Sequence, residues 1–232
     1  PHFDYPHAYL ADLPSKLTAT GVGRGYRADE AAEQTPPPRK EVQLRAPLFE
    51  QGEKKLTPAE IGTAHHLFMQ FCDFDAACAP NGVENELNRL AEKKILSTEQ
   101  AHAVDKRKIE RFFASDLYKT FMAENRMRRE FKFSVLVPAQ AYFPVAADVP
   151  EENVLLQGVI DCLIETRDGF VILDFKTDRI KKGGAVERAE QYRPQLAAYA
   201  RAVHEIYGRP VRACVLYFFH TGDTEWVSLD ED

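Results

Sequence analysis

Two apolar runs, VLLQGVIDCLIE from Val154 and GFVILDFK from Gly169, stand one tight turn apart. Such runs, rich in Val, Ile, Leu and Phe and bounded by turn residues, read as paired strands buried in a sheet. Yet Asp161, Asp174 and Lys176 are set inside them. Ionised side chains in such places are costly unless paired or bound to a metal. A chain with this hairpin must therefore build either an internal ion cluster or a reaction centre around it.

Asp174 and Lys176 are two apart, so they share a strand face. With TRDG (Thr166 to Gly169) as a four-residue loop, Glu165 pairs with Phe170 and Asp161 falls opposite Asp174. Opposed residues have Cβ atoms about 4.5–5.5 Å apart, and like charges there repel. Two carboxylates so placed need a cation. Mg²⁺, hard and oxygen-seeking, satisfies both, and Mn²⁺ or Ca²⁺ would use the same oxygens. A metal there suits phosphodiester hydrolysis, because it binds a phosphate oxygen and acidifies a water. Lys176, one step along the face, would orient that water. The structural alternative is an Asp–Lys ion pair, which leaves Asp161 unexplained.

With 232 residues, 44% of them hydrophobic, the chain has the length for one large domain or a domain plus an irregular arm. No apolar run is long enough for a membrane span, and nothing at the start reads as a secretory signal. Cys72, Cys78, Cys162 and Cys214 lack any CxxC spacing and read as buried thiols in a reducing cytoplasm. The start at Pro1 and the weak periodicity of the first fifty residues suggest a fragment. The net charge of −6 counts against nucleic-acid binding as a whole-chain sum. RMRREFK (Arg126 to Lys132) and DRIKKGG (Asp178 to Gly184) are nonetheless basic and flank the acidic hairpin. Each is either a solvated face or a phosphate contact.

Residues 1–20 look extended, and GVGRGY (Gly21 to Tyr26) neither follows a strand nor opens a helix, so it is not a dinucleotide loop. EQTPPPRK (Glu33 to Lys40) reads as a polyproline-like linker. Helices follow: Thr57, Pro58 and Glu60 form a capping-box start, Ser97 with Gln100 another, and Ser115 is a third candidate. Strands are expected over 131–137, in the two hairpin runs, and over 211–219. A helix over 186–207 separates the last two, with Pro194 kinking it or marking its first turn, and Gly208 and Pro210 stopping it. The order implies an α/β core whose last helix crosses over the sheet.

Gly158-Val-Ile-Asp161 followed by Asp174-Phe-Lys176 resembles the PD-(D/E)xK nuclease motif in its RecB-like form. GTAHHLFMQ (from Gly62) resembles the G-T-x-x-H helix of those nucleases, and QYRPQLAAYA (from Gln191) their Tyr-x-x-Gln-Leu-x-x-Tyr helix. LPSKLTAT and LTPAEIGTA are similar to segments of AddA-type helicase–nucleases, so the resemblance runs from about Leu13 to Tyr217. It implies a restriction-endonuclease-like α/β fold, a central mixed sheet flanked by helices. Residues 1–50 would be an extended arm and 51–232 the nuclease domain, helical over 57–124 and catalytic over 125–232.

The resemblance implies His66, Asp161, Asp174 and the Phe175 carbonyl as metal ligands, with Lys176 catalytic. The residues alone leave His65 and His66 both open: His65 lies nearer the apolar stripe, His66 shares a stripe with Gly62, where another backbone could approach closely. Gln195 and Tyr199 would brace the site or touch DNA. Glu130, ahead of the first core strand, resembles a family acid but suits a surface salt bridge equally. Arg128, Arg129, Lys181 and Lys182 would contact phosphates, so binding should weaken with salt. The cysteine spacing departs from that of the iron–sulphur relatives, so no cluster is expected, and no G-x-x-x-x-G-K-[ST] provides an ATP site. The function implied is a Mg²⁺-dependent, exonuclease-type deoxyribonuclease acting on single-stranded DNA in recombinational double-strand-break repair. It would be cytoplasmic and joined to a helicase part of the same polypeptide and an AddB-like subunit. The alternatives are a non-catalytic scaffold of this fold that binds DNA or a partner subunit, and a free-standing repair exonuclease.

Overall fold

The computed structural model describes residues 13–22, 56–147 and 152–229. The EQTPPPRK linker and most of the GVGRGY cluster lie outside them. Helix α1 (Pro58–Phe71) opens with the expected capping box, the Glu60 carboxylate accepting from Thr57 N–H and Thr57 Oγ1 from Glu60 N–H. Then come α2 (Phe74–Ala77), α3 (Gly82–Glu92), α4 (Thr98–Ala103) and α5 (Lys106–Ala114), with the Ser97–Gln100 box starting α4. Ser115 leads into the third helical stretch, as expected. It ends α5, and its Oγ accepts Tyr118 N–H at the entry to a π-helical turn, Leu117–Met122.

The sheet has six strands: β1 (Lys16–Thr18), β2 (Arg126–Pro138), β3 (Asn153–Thr166), β4 (Gly169–Lys176), β5 (Val211–Phe218) and β6 (Asp223–Val227). Strand β3 organises it. One edge pairs with β2 along its length; the other takes β1 in parallel over Leu155–Gln157 and β4 antiparallel over Cys162–Thr166. β4 pairs with β5 in parallel, and β6 closes the sheet antiparallel to β5. A parallel neighbour needs a crossover, and α6 (Ala185–Tyr207) supplies it. The sheet is therefore mixed and flanked by helices, as expected.

Several boundaries differ from expectation. β2 begins five residues before Phe131 and so takes in RMRRE; Glu130 lies inside the strand rather than ahead of it. The segment read as an arm contributes β1, with Leu17 and Ala19 buried beneath it, and β6 was not foreseen. α6 runs through Pro194, which is therefore not its first turn. A mid-helix proline costs roughly 3 kcal/mol, and burial of Leu196, Tyr199, Ala202 and Val203 against the sheet offsets it. Gly208, at φ 62°, ends the helix as expected. Cys78 is exposed, whereas the other three cysteines are buried.

Two cores result. α1 to α5 cover one face around Phe68, Leu90, Ile109 and Phe112; α6 covers the other around Leu156, Ile172, Leu196 and Tyr199. Near the middle of β2 and β3 the alternation breaks. Arg129 packs over Phe74 and Cys162 joins the α1 side, but Phe131 and Ile160 join the α6 side. Arg129 pairs with Cys162 and Phe131 with Ile160, so both strands change face at Glu130 and Asp161 without a slip in register. Glu130 absorbs the change at φ 51°. Asp161 is thereby set at the break instead of within either core.

Candidate active site

β3 and β4 pair from their turn only as far as Cys162 and Leu173. Beyond that point they part, and the next residues are Asp161 and Asp174. The hairpin register is the expected one, Glu165 opposite Phe170. Asp161 Oδ2 accepts the Phe175 N–H at 2.7 Å. In an extended strand a residue's N–H and C=O leave by the same edge, so the Phe175 carbonyl points into the same notch.

Asp174 is only 4% exposed. Its Oδ2 is ion-paired with Lys176 Nζ at 2.7 Å. Oδ1 receives only a long contact from Gln195 Nε2, 3.5 Å. Burial pushes the Asp174 carboxyl above the usual carboxylate range; Lys176 pulls it down and the Asp161 charge raises it again. The two acids therefore act on one another across the notch.

His66 donates from Nδ1 to Asp161 Oδ1 at 3.3 Å. Burial opposes a charge on this ring, but the Asp161 hydrogen bond prevails and its pKa rises. His65 faces the core, with Nδ1 2.9 Å from the Ile61 carbonyl and Nε2 accepting Asp105 N–H at 3.2 Å. Burial lowers its pKa, as suits a neutral ring that ties α1 to the start of α5. Of the two histidines, the fold brings His66 to the acids. Gly62 permits a close approach, since a Cβ there would lie 2.8 Å from Thr177 Oγ1. The neighbour is thus a side chain just past β4, not the backbone expected.

Lys176 Nζ donates to Gln195 Oε1 at 3.1 Å, and Gln195 Nε2 donates to Tyr199 Oη at 2.7 Å. Gln195 and Tyr199 are both buried, so they brace the lysine from α6 and do not reach outward. Glu130, opposite Asp161, is half-buried and its carboxyl is pushed up, by burial first and Asp161 second. It forms no salt bridge among the described residues, contrary to the surface-pair alternative.

The basic residues separate. Arg129 donates to the Met69 and Cys72 carbonyls at 2.9 and 2.6 Å, which closes the C-terminal end of α1 and removes it from the phosphate-binding set. Arg128 bonds Tyr207 Oη at 2.7 Å. That contact turns its guanidinium toward the C-terminal end of α6. Lys181 and Lys182 are exposed in the loop directly after β4. Sequence reasoning missed Asp178 and Arg188 around the lysine, and gave no site role to Tyr192, the first tyrosine of the Tyr-x-x-Gln segment. Tyr192 precedes Gln195 by three residues, a spacing that shares a helix face and could have found it.

Among the described residues no three His, Cys, Asp or Glu side chains converge as a ready-made metal cage. Asp174 leans on Lys176 and Asp161 on the Phe175 amide instead. The donor chemistry nevertheless fits a hard divalent ion: two carboxylates that act on one another across the notch, and the Phe175 carbonyl on the same edge.

A family model described as the PD-(D/E)XK nuclease superfamily matches residues 39–228. The chain is 39% identical over 221 residues to the ATP-dependent helicase/nuclease of Moorella thermoacetica (its A-type subunit), covering 94% of this chain and 15% of that protein. To the proteins of the same description from Desulforudis audaxviator and Desulforamulus reducens it is 35% and 37% identical, in each case over 95% of this chain and 18% of the relative. The chain thus spans less than a fifth of the length of these relatives. A match of this extent, over a mixed sheet that sets an acid on each of two parting strands and a lysine beside them, leaves one assignment: the chain belongs to the PD-(D/E)XK nuclease superfamily.

Proposed function

We propose that the chain is a Mg²⁺-dependent deoxyribonuclease domain that hydrolyses single-stranded DNA as part of an AddA-like helicase–nuclease. The observation that carries the reading is the buried Asp174 carboxylate, ion-paired with Lys176 at 2.7 Å and close enough to Asp161 for the two acids to interact. A scaffold has no use for ionised groups buried at such cost. Asp161, Asp174, the Phe175 carbonyl and His66 would hold the ion. When bound, it supplies Lewis acidity toward a phosphate oxygen and lowers the pKa of a water. Lys176, ion-paired with Asp174 and oriented by Gln195, would direct that water and offset charge developing on the phosphate. Lys181 and Lys182 would neutralise phosphates of the strand entering beside β4.

The relatives are named as helicase/nuclease proteins, which supports a role downstream of a motor. We place the domain at the C-terminal end of such a polypeptide, exonuclease-type in action and working with an AddB-like subunit. Its setting would be recombinational double-strand-break repair in the cytoplasm. No helix among the described residues is long and apolar enough to cross a membrane.

Cleavage of labelled single-stranded DNA tests the reading. Mg²⁺ should switch it on and EDTA abolish it. Charge reversal at Lys181 and Lys182 together should weaken binding and flatten its log–log salt dependence by about 1.4, at roughly 0.7 per single-strand phosphate contact. Cleavage indifferent to EDTA would refute the proposal.

A further inference from the structure

Lys176 has a partner besides the carboxylate and the amide. Its Nζ sits 3.7 Å from the centroid of the Tyr192 ring, and the side chain is otherwise enclosed, with 12% exposed. The ring is fixed from its outer side. Tyr192 Oη donates to Asp178 Oδ2 and accepts from Arg188 Nη2 at 3.2 Å. The same guanidinium nitrogen reaches Asp178 Oδ1 at 3.1 Å, and the guanidinium carbon lies 5.1 Å from the ring centroid. Arg188 and Tyr192 are one turn apart on α6. Asp178 follows Lys176 by two residues in the loop leaving β4. The three side chains therefore tie the end of the strand to the helix.

We propose that Tyr192, held by Asp178 and Arg188, is a positioning residue for Lys176, keeping its ammonium in place when Asp174 turns its oxygen to a divalent ion. The inference rests on the nuclease reading above. Asp174 Oδ2 has two claimants under that reading, the lysine at 2.7 Å and the ion. A lysine whose only strong partner was Asp174 would either exclude the ion or drift once displaced. An aromatic face attracts the ammonium through its quadrupole but presents no oxygen, so a metal does not compete for it. Donation of the phenolic proton to Asp178 leaves more electron density on the ring and strengthens that attraction. Gln195 Oε1, one turn further along α6, is a second neutral partner at 3.1 Å. Ring and amide together hold the lysine in either state of Asp174.

Tyr192→Phe and Tyr192→Leu separate this role from simple space-filling. The first readout needs no catalysis. In protein labelled with ¹³C-lysine, the Lys176 ε-methylene signal, identified by its absence in Lys176→Arg, should be shifted upfield by the ring current. The shift should persist on adding Mg²⁺, remain in Tyr192→Phe and vanish in Tyr192→Leu. The second readout is single-stranded DNA cleavage at saturating Mg²⁺. Tyr192→Leu should lose about tenfold in kcat with KM changed less than about twofold, and Tyr192→Phe should stay within about threefold of wild type. A wild-type lysine signal that is unshifted, or that returns to the ordinary position with Mg²⁺, overturns the proposal. So does a folded Tyr192→Leu protein with wild-type kcat. A shifted lysine in a wild-type protein that cleaves nothing overturns the nuclease reading, and the catalytic role of the contact with it.

Discussion

Asp174→Asn is expected to reduce DNA cleavage by at least about 10³-fold, the equivalent of ~4 kcal/mol of transition-state stabilisation, while leaving the protein folded. The variant keeps the size of the side chain and removes only the charge on which the ion depends. Its effect on stability should have the opposite sign. Burial raises the Asp174 carboxyl in the folded state despite the lysine beside it. An acid whose pKa rises on folding favours the folded state least when ionised, so its penalty is complete at pH values above the folded pKa. At pH values above that pKa the neutral amide relieves the penalty, and Asp174→Asn should there melt at the wild-type temperature or above it. Calorimetry beside a cleavage assay checks both. A melting temperature several degrees lower would mean that the ion pair with Lys176 outweighs the burial, contrary to the account.

Phe112→Ala should be the most damaging single truncation in the core, at about 3–5 kcal/mol. The ring is fully buried. It meets Phe113, Phe175 and Tyr217 at centroid distances of 5.2, 5.2 and 4.9 Å, and Phe74 and Tyr118 at 6.3 and 5.7 Å. Few positions join so many elements: α5, α2, the π-helical turn, β4 and β5 all reach this ring. Edge-to-face pairs add to the burial itself, and the cavity left behind cannot collapse without moving the sheet. For a domain of this size the loss corresponds to a fall of about 10 °C in Tm. Urea unfolding should show a lower midpoint at an unchanged slope; a loss under about 1 kcal/mol would contradict the packing described. Phe175 carries the amide that holds Asp161, so the same truncation should also loosen the site.

What the sequence disclosed about the site was mostly local. Asp161 and Asp174 are joined by one tight hairpin, so loop length alone brings them to the same end of it, though not the parting of the strands there. The capping boxes at Thr57 and Ser97, and Gly208 after α6, are likewise settled within a few residues. What the residues alone left open or missed depends on distant partners. His65 is distinguished from His66 by Asp105, forty residues on, whose amide needs an acceptor. Arg129 looks like a phosphate ligand until the end of α1 is packed against it and its carbonyls need donors. β2 hides its first five residues because Arg126 and Arg128 are exposed and leave no apolar alternation. β1 and β6 are short edge strands, three and five residues long, with too few buried positions to show a period. Tyr192 fits the apolar stripe of α6, and nothing local reveals that Lys176 lies over its ring.

The central claim is that Asp161 and Asp174 share one divalent ion across the gap between β3 and β4. Crystals soaked in Mn²⁺ and measured at its absorption edge test it directly. The account predicts an anomalous peak within about 2.0–2.5 Å of a carboxylate oxygen of each acid, with Lys176 still against the Tyr192 ring. A peak elsewhere, or none while Lys176 remains paired with Asp174, would contradict it.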